Sequence, residues 1–141
     1  MAHMYRKIRR LISLMEVLAF LLYNIKGNYS GPISIRRENT EMVKHMIIWT
    51  LKEELSAEEK STVKAGIKEG LEGLAGKIPG LVDIKVQIDG LASSNADVML
   101  DSTFESEEAL KVYATHPEHV AVADGKVRPY TQTRSCLDFI I

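Results

Sequence analysis

The sequence of 141 residues predicts one α+β domain over residues 42–141, with a ferredoxin-like β-α-β-β-α-β order, behind an N-terminal extension of different composition. Two observations predict this class. Four segments have the alternation or the β-branched content of strands, and two regions between them carry helical start and stop signals. This order is the split βαβ arrangement, which forms a four-stranded antiparallel sheet with both helices on one face.

The first strand is predicted at Met42–Lys52, where seven of eleven residues are apolar and several are β-branched or aromatic. The first helix starts at Ser56–Glu59, a capping box in which a serine and a glutamate satisfy each other's free backbone N–H groups. Its buried stripe is predicted to continue until Pro79 and Gly80 end the helix. The stripe consists of Val63, Ile67, Leu71, Leu74 and Ile78.

Three glycines, Gly66, Gly70 and Gly73, lie along the flank of this stripe. Each interior glycine costs a helix about 1 kcal/mol relative to alanine. Either these positions are surface sequence without a packing role, or something packs closely there, as the missing side chain permits. The N-terminal helix and a ligand are the two candidates for that close neighbour.

Two further strands form a predicted hairpin between the helical regions. Apolar residues of the first alternate with polar ones, which predicts one buried face; they are Val82, Ile84, Val86 and Ile88. A loop at Gly90–Asn95 leads to the second strand, which carries Val98, Leu100 and Phe104. Because the connection is short, the two strands pair antiparallel. Alternation returns at Thr131–Ile141, which is predicted to be the last strand.

Pro117 divides the second helical region. Ser106 is predicted to cap a helix at Glu107–Thr115, which stops there because the residue before a proline avoids the α conformation. Proline also suits the first position of a new helix. We therefore predict a second short helix at Glu118–Asp124, closed by Gly125.

The predicted sheet has one uncovered face. Both helices connect strands on the same side, so nothing within residues 42–141 is left to cover the other side. A domain of this size with a bare sheet face tends to bury it against a second copy. We therefore expect a homodimer in which two sheets pack together.

Composition and charge exclude several classes of function and site. Hydrophobic residues make up 45% and charged residues 26%, as in ordinary globular proteins, and we expect a cytoplasmic protein. The net charge of −1 offers no basic face for nucleic acid. The charge is uneven, with +4 in residues 1–41 and −5 in residues 42–141. A single cysteine, Cys136, excludes an intrachain disulfide and a multi-cysteine metal site.

Residues 1–41 read as an extension, in which Met1–Met4 is an expression-tag remnant. The apolar run Leu11–Tyr23 is shorter than the roughly 20 residues of a membrane span, and no small-x-small cleavage site of a signal peptide follows it. Apolar spacings of three and four instead predict an amphipathic helix at about residues 5–26, packed on the domain or on a partner, and then a loop. Alternatively, Met42 is the native start and the leader is mis-called upstream translation. No membrane association is expected for residues 42–141.

Proton-handling side chains cluster at Tyr113–His119, which holds a tyrosine and two histidines within seven residues. The remaining histidine of the domain, His45, lies in the first strand. Imidazole is the side chain that most readily exchanges protons near neutral pH. Because strand side chains alternate, His45, Ile47 and Trp49 share one face, and we predict that they line one pocket if His45 points toward the helices.

Two of these histidines could instead have purely structural roles. His116, beside Pro117, is predicted to cap the preceding helix with its ring, as cations do near a helix C-terminus. His45 could simply be a buried polar group satisfied by a hydrogen bond to Tyr113. A zinc site from His45, His116 and His119 is disfavoured, because the proline removes the i, i+4 geometry of helical zinc motifs.

Four segments resemble the stress-responsive α/β-barrel (Dabb) domain family. They are the Met42–Trp49 start, the Ile78–Gly80 break, the Thr103–Ser106 strand end and the Tyr113-x-x-His-Pro-x-His119 element. The resemblance covers residues 42–141 and none of residues 1–41. It implies a ferredoxin-like subunit whose two-fold dimer closes two sheets into an α/β barrel.

The resemblance also implies a reaction class. The plant olivetolic acid cyclase, the family member with the best-known chemistry, folds a linear poly-β-ketone by aldol condensation. Its catalytic histidine–tyrosine pair matches His119 and Tyr113, and a supporting histidine matches His45. Its pocket residues on the first helix are replaced here by small or aliphatic ones such as Val63 and Ile67, which are expected to contact substrate.

These residues suit an aldol-type step, in which a base removes a C–H proton and a donor holds the enolate oxygen. His119 would be the base, Tyr113 the donor, and His45 would fix the tautomer of His119 or bind substrate. Three hypotheses remain: a cofactor-independent cyclase or lyase-like enzyme on a β-keto substrate, a non-catalytic dimeric protein that binds a small apolar molecule or serves in stress, and a structural module without a pocket. Some plant relatives bind magnesium through backbone carbonyls beside the proline matching Pro79; no metal or cofactor is predicted.

Overall fold

The computed structural model describes residues 41–141, so the predicted helix at about residues 5–26 lies outside the described residues. Within the described part, four strands and three α-helices follow the predicted order, with the second helical region divided in two. They are β1 (Val43–Leu51), α1 (Ala57–Glu72), β2 (Leu81–Gln87), β3 (Val98–Phe104), α2 (Glu107–Thr115), α3 (Pro117–Val122) and β4 (Thr131–Ile140).

The strands form one antiparallel sheet in the order β2-β3-β1-β4, and the predicted ferredoxin-like fold is confirmed. The central strand β1 pairs on both sides, so that Ile47 lies opposite Leu100 of β3 and Cys136 of β4. Alternate residues of β1 are buried, because successive side chains of a strand point to opposite faces of the sheet and one face meets the helices. The core lies between the helices and this face.

The capping box at the start of α1 forms as predicted. The Ser56 hydroxyl accepts a hydrogen bond from the Glu59 amide at 3.1 Å, and the Glu59 carboxylate accepts one from the Ser56 amide at 2.7 Å. The helix nevertheless ends at Glu72, before the predicted stop at Pro79. Turns follow it, including Gly76 with a φ of 76°, a conformation that glycine adopts at little cost. Leu74 and Ile78 remain buried in the core from these turns.

Close packing on the glycine flank occurs at Gly70. A Cβ at this position would lie 2.9 Å from side-chain carbons of both Val122 and Lys126, which are the close neighbours among the described residues. At Gly66, by contrast, a Cβ would meet no described atom within 4 Å. The missing side chain therefore serves packing at one of the two positions.

The predicted closure of the last helix by Gly125 is wrong. After α3 the backbone continues as a π-helical turn at Ala123–Val127, which contains Gly125 in its middle. The Arg128 amide donates to the Ala123 carbonyl at 2.8 Å, five residues back. This wider turn places Ala123 and Val127 in the core, and such turns are frequent at functional sites.

The second sheet face carries apolar side chains that no described element covers. Ile48, Leu137 and Phe139 lie on it, and Leu137 is 63% exposed. The helices also leave β4 largely uncovered on the other face, so that the side chains opposite Trp49, Ile47 and His45 remain accessible. Within residues 41–141, no helix is long and apolar enough to span a membrane.

Candidate active site

A cavity of about 330 Å³ lies between the helical layer and the sheet, beside β1 and β4. The apolar part of its wall is formed by Ile47, Trp49, Leu71, Leu100, Leu110, Ala114, Ala123 and Val127. The polar part is formed by His45, Tyr113, His119, Arg128, Thr131 and Arg134. A site of this size and lining suits a small, mostly apolar molecule.

Five of the seven residues assigned to the site from sequence line this one cavity. They are His45, Ile47, Trp49, Tyr113 and His119. The other two, Val63 and Ile67, do not line it. Ile67 is fully buried in the core and Val63 packs against that core, whereas Leu71, one turn further along α1, reaches the cavity.

Tyr113 is brought to the cavity by α2, whose start is fixed when the Ser106 hydroxyl accepts from the Ala109 amide at 3.2 Å. The side chain is 1% exposed and packs on Phe104, with ring centroids 4.9 Å apart. Its hydroxyl oxygen has no hydrogen-bond partner among the described residues. Burial raises the pKa of Tyr113, so the phenol keeps its proton and remains a donor at neutral pH.

His119 is placed by α3, which begins at Pro117. Its ring lies against Tyr113, with centroids 4.1 Å apart, and its Nδ1 is buried without a partner among the described residues. Burial is the main cause that lowers the pKa of His119; a hydrogen bond with the Ala114 carbonyl opposes it, and the electrostatic effects of the neighbouring Arg128, His45 and Arg134 lower it further. The imidazole is therefore neutral near pH 7 and able to accept a proton.

His45 is held by Asp138, which sequence reasoning missed. The two residues lie directly opposite on β1 and β4, and Nδ1 of His45 is 2.6 Å from a carboxylate oxygen of Asp138. The alternative that His45 is satisfied by Tyr113 is wrong, since the Tyr113 hydroxyl has no partner among the described residues and the two ring centroids are 6.1 Å apart. A carboxylate on Nδ1 fixes the tautomer and leaves Nε2 available to a ligand.

Cys136 completes a small cluster with this pair. Its sulfur lies 3.9 Å from Nδ1 of His45 and 3.5 Å from the bonded carboxylate oxygen of Asp138. Among the described residues this is the group whose donor atoms, all within 4.8 Å of one another, could share one metal ion. Nitrogen, sulfur and oxygen donors of this kind suit zinc. The donor atoms of His45 and Asp138 are already joined by their own hydrogen bond.

The His116 ring caps a helix, but it caps the start of α3 and not the end of α2, as was predicted. Its Nδ1 accepts a hydrogen bond from the Glu118 amide at 3.2 Å, which makes it the N-cap of α3. Because Pro117 has no N–H, the Glu118 amide is the first free donor of that helix. An acceptor nitrogen means a ring uncharged at Nδ1, whereas the prediction assumed a cation at the C-terminus of α2. His116 does not line the cavity.

Two arginines at the cavity were also missed by sequence reasoning. Arg134 of β4 lies opposite Trp49 and therefore points to the helix side of the sheet. Arg128 follows the π-helical turn and forms an ion pair with Asp124. The alternation in β4 could have placed Arg134, Cys136 and Asp138 on one face, but only the register with β1 decides which residues they meet.

Comparison with known families and solved structures finds the same fold. The model of the family described as Stress responsive A/B Barrel Domain matches residues 43–141. A dimeric protein of unknown function with a ferredoxin-like fold from Bacteroides fragilis is 33% identical, with a TM-score of 0.67, and the match covers 71% of this chain and 96% of that one.

More distant structures show the same fold. A Dabb family protein from Mesorhizobium loti is 18% identical, with a TM-score of 0.57 and coverage of 72% and 97% of the two chains. A hydroxynitrile lyase from Passiflora edulis is 20% identical, with a TM-score of 0.56 and coverage of 72% and 94%. No curated protein matches the chain.

Proposed function

The chain belongs to the stress responsive A/B barrel (Dabb) family, and from that premise we propose that it is a cofactor-independent, cyclase- or lyase-like enzyme acting on a small β-keto substrate. One observation carries this proposal. The Tyr113 hydroxyl and Nδ1 of His119 are both buried without partners among residues 41–141, and both residues line one largely apolar cavity. An unsatisfied buried polar group costs about 1–3 kcal/mol, which a ligand with matching polar atoms would relieve.

The two residues have complementary protonation states. His119, with its lowered pKa, is the neutral base that takes a proton from the carbon between two carbonyl groups. The C–H electron pair forms an enolate, and the proton passes to the imidazole. Tyr113, with its raised pKa, donates a hydrogen bond to the developing enolate oxygen. In a substrate that carries a further carbonyl several bonds away, attack of the enolate carbon on that carbonyl closes a ring, and the imidazolium returns the proton to the alkoxide formed.

His45 acts as the supporting residue in this proposal. Asp138 binds its Nδ1, so the ring presents Nε2 to a ligand in the cavity that both His45 and His119 line. A fixed imidazole at this position would hold a second substrate oxygen or orient the chain of the substrate. Its role is positioning, because the base and the oxyanion donor are already supplied by His119 and Tyr113.

The apolar wall favours a second candidate, a non-catalytic protein that binds a small apolar molecule. Eight aliphatic, aromatic or alanine side chains line the cavity, which suffices for binding without chemistry. We further propose that the protein is a homodimer under either candidate. The related structures from Bacteroides fragilis and other organisms are dimeric, and the second sheet face exposes apolar residues.

Proton exchange tests the enzyme against the binding protein. Proton NMR in deuterated buffer follows loss of the α-carbon protons of a β-keto ester, with the buffer rate subtracted. We expect the wild type to accelerate exchange and His119→Ala to lose this acceleration by about 10²-fold or more. His116→Asn is the matched control, because it removes an imidazole three residues away that does not line the cavity, while asparagine can still cap the start of α3. Equal rates for wild type and His119→Ala over a range of β-keto esters would reject the enzyme and leave the binding protein.

A further inference from the structure

The charged groups on the wall of the cavity have one sign. Arg128 and Arg134 line it together with His45 and His119, and no aspartate or glutamate among residues 41–141 does. The adjoining groove that shares His45 and Arg134 holds Glu107 and Asp138. Residues 42–141 carry eleven lysines and arginines against sixteen aspartates and glutamates, so the domain as a whole has a negative surplus. Among the described residues, the charged side chains of the cavity wall are therefore opposite in sign to the surplus charge of the domain.

The two guanidinium groups differ in how they are held. Arg128 is paired with Asp124 one helical turn earlier, which restrains its side chain while leaving further N–H donors unused. Arg134 forms no ion pair with a carboxylate among residues 41–141, although its side chain hydrogen-bonds with that of Cys136, and its position opposite Trp49 on β4 directs it to the cavity side of the sheet. Arg134 is thus the guanidinium more available to an anion.

We propose that Arg134, assisted by Arg128, forms an anion subsite at the edge of the cavity, and that the substrate is a keto acid whose carboxylate binds there. The inference rests on the proposed function, because it places the apolar and keto parts of the same molecule against Trp49 and Tyr113. A guanidinium binds a carboxylate through two parallel, charge-assisted hydrogen bonds, which are about twice as strong as neutral ones. A neutral ketone would gain nothing comparable from either arginine.

Binding of an anion at this subsite would also change the pKa of His119. The charges of Arg128 and Arg134 contribute to the lowered pKa of His119, after the larger effect of burial. A bound carboxylate compensates these charges, so the imidazole becomes more basic when the keto acid is present. Substrate binding and proton abstraction are then favoured by the same ion pair.

Trp49 gives a binding signal that does not depend on catalysis. It is the one tryptophan of the chain and it lines the cavity. The full-length protein is titrated with 4-oxooctanoate, a keto acid that does not readily decarboxylate, and with its methyl ester, while tryptophan fluorescence is recorded. We expect the acid to bind at least about tenfold more tightly than the ester, and this preference to shrink as salt is added.

Variants assign the preference to the arginines. Arg134→Gln should abolish most of the preference for the acid by weakening acid binding far more than ester binding, and Arg134→Lys should retain part of the preference because the charge remains. Lys77→Gln, at an exposed position away from the cavity, controls for the change in net charge. Thermal unfolding of each variant confirms that it is folded.

The outcomes separate this inference from the proposed function. If acid and ester bind equally, or if Arg134→Gln keeps the preference, the anion subsite is rejected while the cavity remains a ligand site. If neither molecule binds, the subsite and the cavity's role as a substrate site are rejected together. A preference for the acid that depends on Arg134, without any proton exchange at β-keto esters, would support the subsite and reject catalysis.

Discussion

The rings of Tyr113 and His119 lie nearly stacked, with centroids 4.1 Å apart and planes inclined by 33°. They come from two helices separated by Pro117, which starts the second helix and so returns His119 toward the ring of Tyr113. Both rings carry a buried polar atom that lacks a partner among the described residues. In this contact the phenol of Tyr113, which keeps its proton, lies against the imidazole of His119, which is neutral near pH 7.

Tyr113→Phe should separate stability from activity. The substitution removes a buried hydroxyl without a described partner, so we expect the free energy of unfolding to rise by about 1 kcal/mol, measured by urea denaturation. Proton exchange should fall by about 10²-fold, because the enolate oxygen loses its donor. A variant that is less stable than the wild type would show that the hydroxyl is satisfied in solution.

The pH dependence of activity should have one rising limb. Because the pKa of His119 lies below its usual value of 6.5, we expect the rate to increase as pH rises through that lower pKa and to be level by pH 7. The raised pKa of Tyr113 predicts no falling limb up to about pH 9. Exchange rates measured from pH 4.5 to 9 check both statements, and a midpoint well above 6.5 would contradict the assignment of His119 as the base.

The same shift predicts an effect on stability. Since the folded protein resists protonation of His119 more than the unfolded chain does, its contribution is fully present above pH 6.5 and is lost as the pH falls through the folded pKa. Urea denaturation of wild type and His119→Asn at several pH values isolates this group. We expect the difference in unfolding free energy to shift in favour of the variant as the pH drops from 7 to 5; a constant difference would contradict the prediction.

Much of the site follows from local sequence rules, and the rest depends on strand register. Alternation predicts that His45, Ile47 and Trp49 share a face, and Pro117 predicts the corner that returns His119. Asp138 could not be assigned to His45 in this way, because a shift of β4 by two residues would have preserved its alternation and changed its partner.

Longer-range geometry explains the two other differences. The phase of α1 places Ile67 in the core and only Leu71 at the cavity, which depends on how the helix rotates over the sheet. The π-helical turn keeps Gly125 inside a continuing helical segment, although glycine at that position usually ends one. Burial of Ala123 and Val127 supplies the reason, and this appears only once the layers are packed.

Asp138→Asn tests the positioning of His45. The pair is partly exposed on its carboxylate side, so we expect the unfolding free energy to change by less than about 1 kcal/mol. The tautomer should respond more, because an amide holds the Nδ1 proton less firmly than a carboxylate. Nitrogen-15 NMR of the His45 ring is expected to show a larger share of the Nε2–H form, with a loss of exchange activity smaller than the ~100-fold expected for removal of the base.

A charge introduced by substitution on the second sheet face should convert the proposed homodimer into monomers. Leu137 and Phe139 are 63% and 42% exposed there, and Leu137→Asp would place a carboxylate in the proposed interface between two sheets. We expect sedimentation at micromolar concentration to show a dimer for the wild type and a monomer for this variant. Leu91→Asp, at an 80% exposed position after β2, is the control and should remain dimeric. A monomeric wild type would reject the homodimer.

The two glycines of α1 offer a matched pair with opposite expected effects. At Gly66 a new Cβ meets no described atom within 4 Å, so Gly66→Ala should stabilise the protein by about 1 kcal/mol through its higher helix propensity. At Gly70 the Cβ would lie 2.9 Å from side-chain carbons of Val122 and Lys126, so Gly70→Ala must displace these side chains where they pack on α1. We expect this variant to lose about 1–3 kcal/mol, as overpacked cores do.

Because Val122 belongs to the helix that carries His119, Gly70→Ala should also disturb the site. Urea denaturation measures the two stabilities, and Trp49 fluorescence with 4-oxooctanoate measures the cavity in both variants. We expect Gly66→Ala to bind this molecule as the wild type does, and Gly70→Ala to bind it more weakly. If both alanines stabilise the protein equally and leave binding unchanged, α3 does not rest on Gly70 in solution, and the position of His119 depends on other contacts.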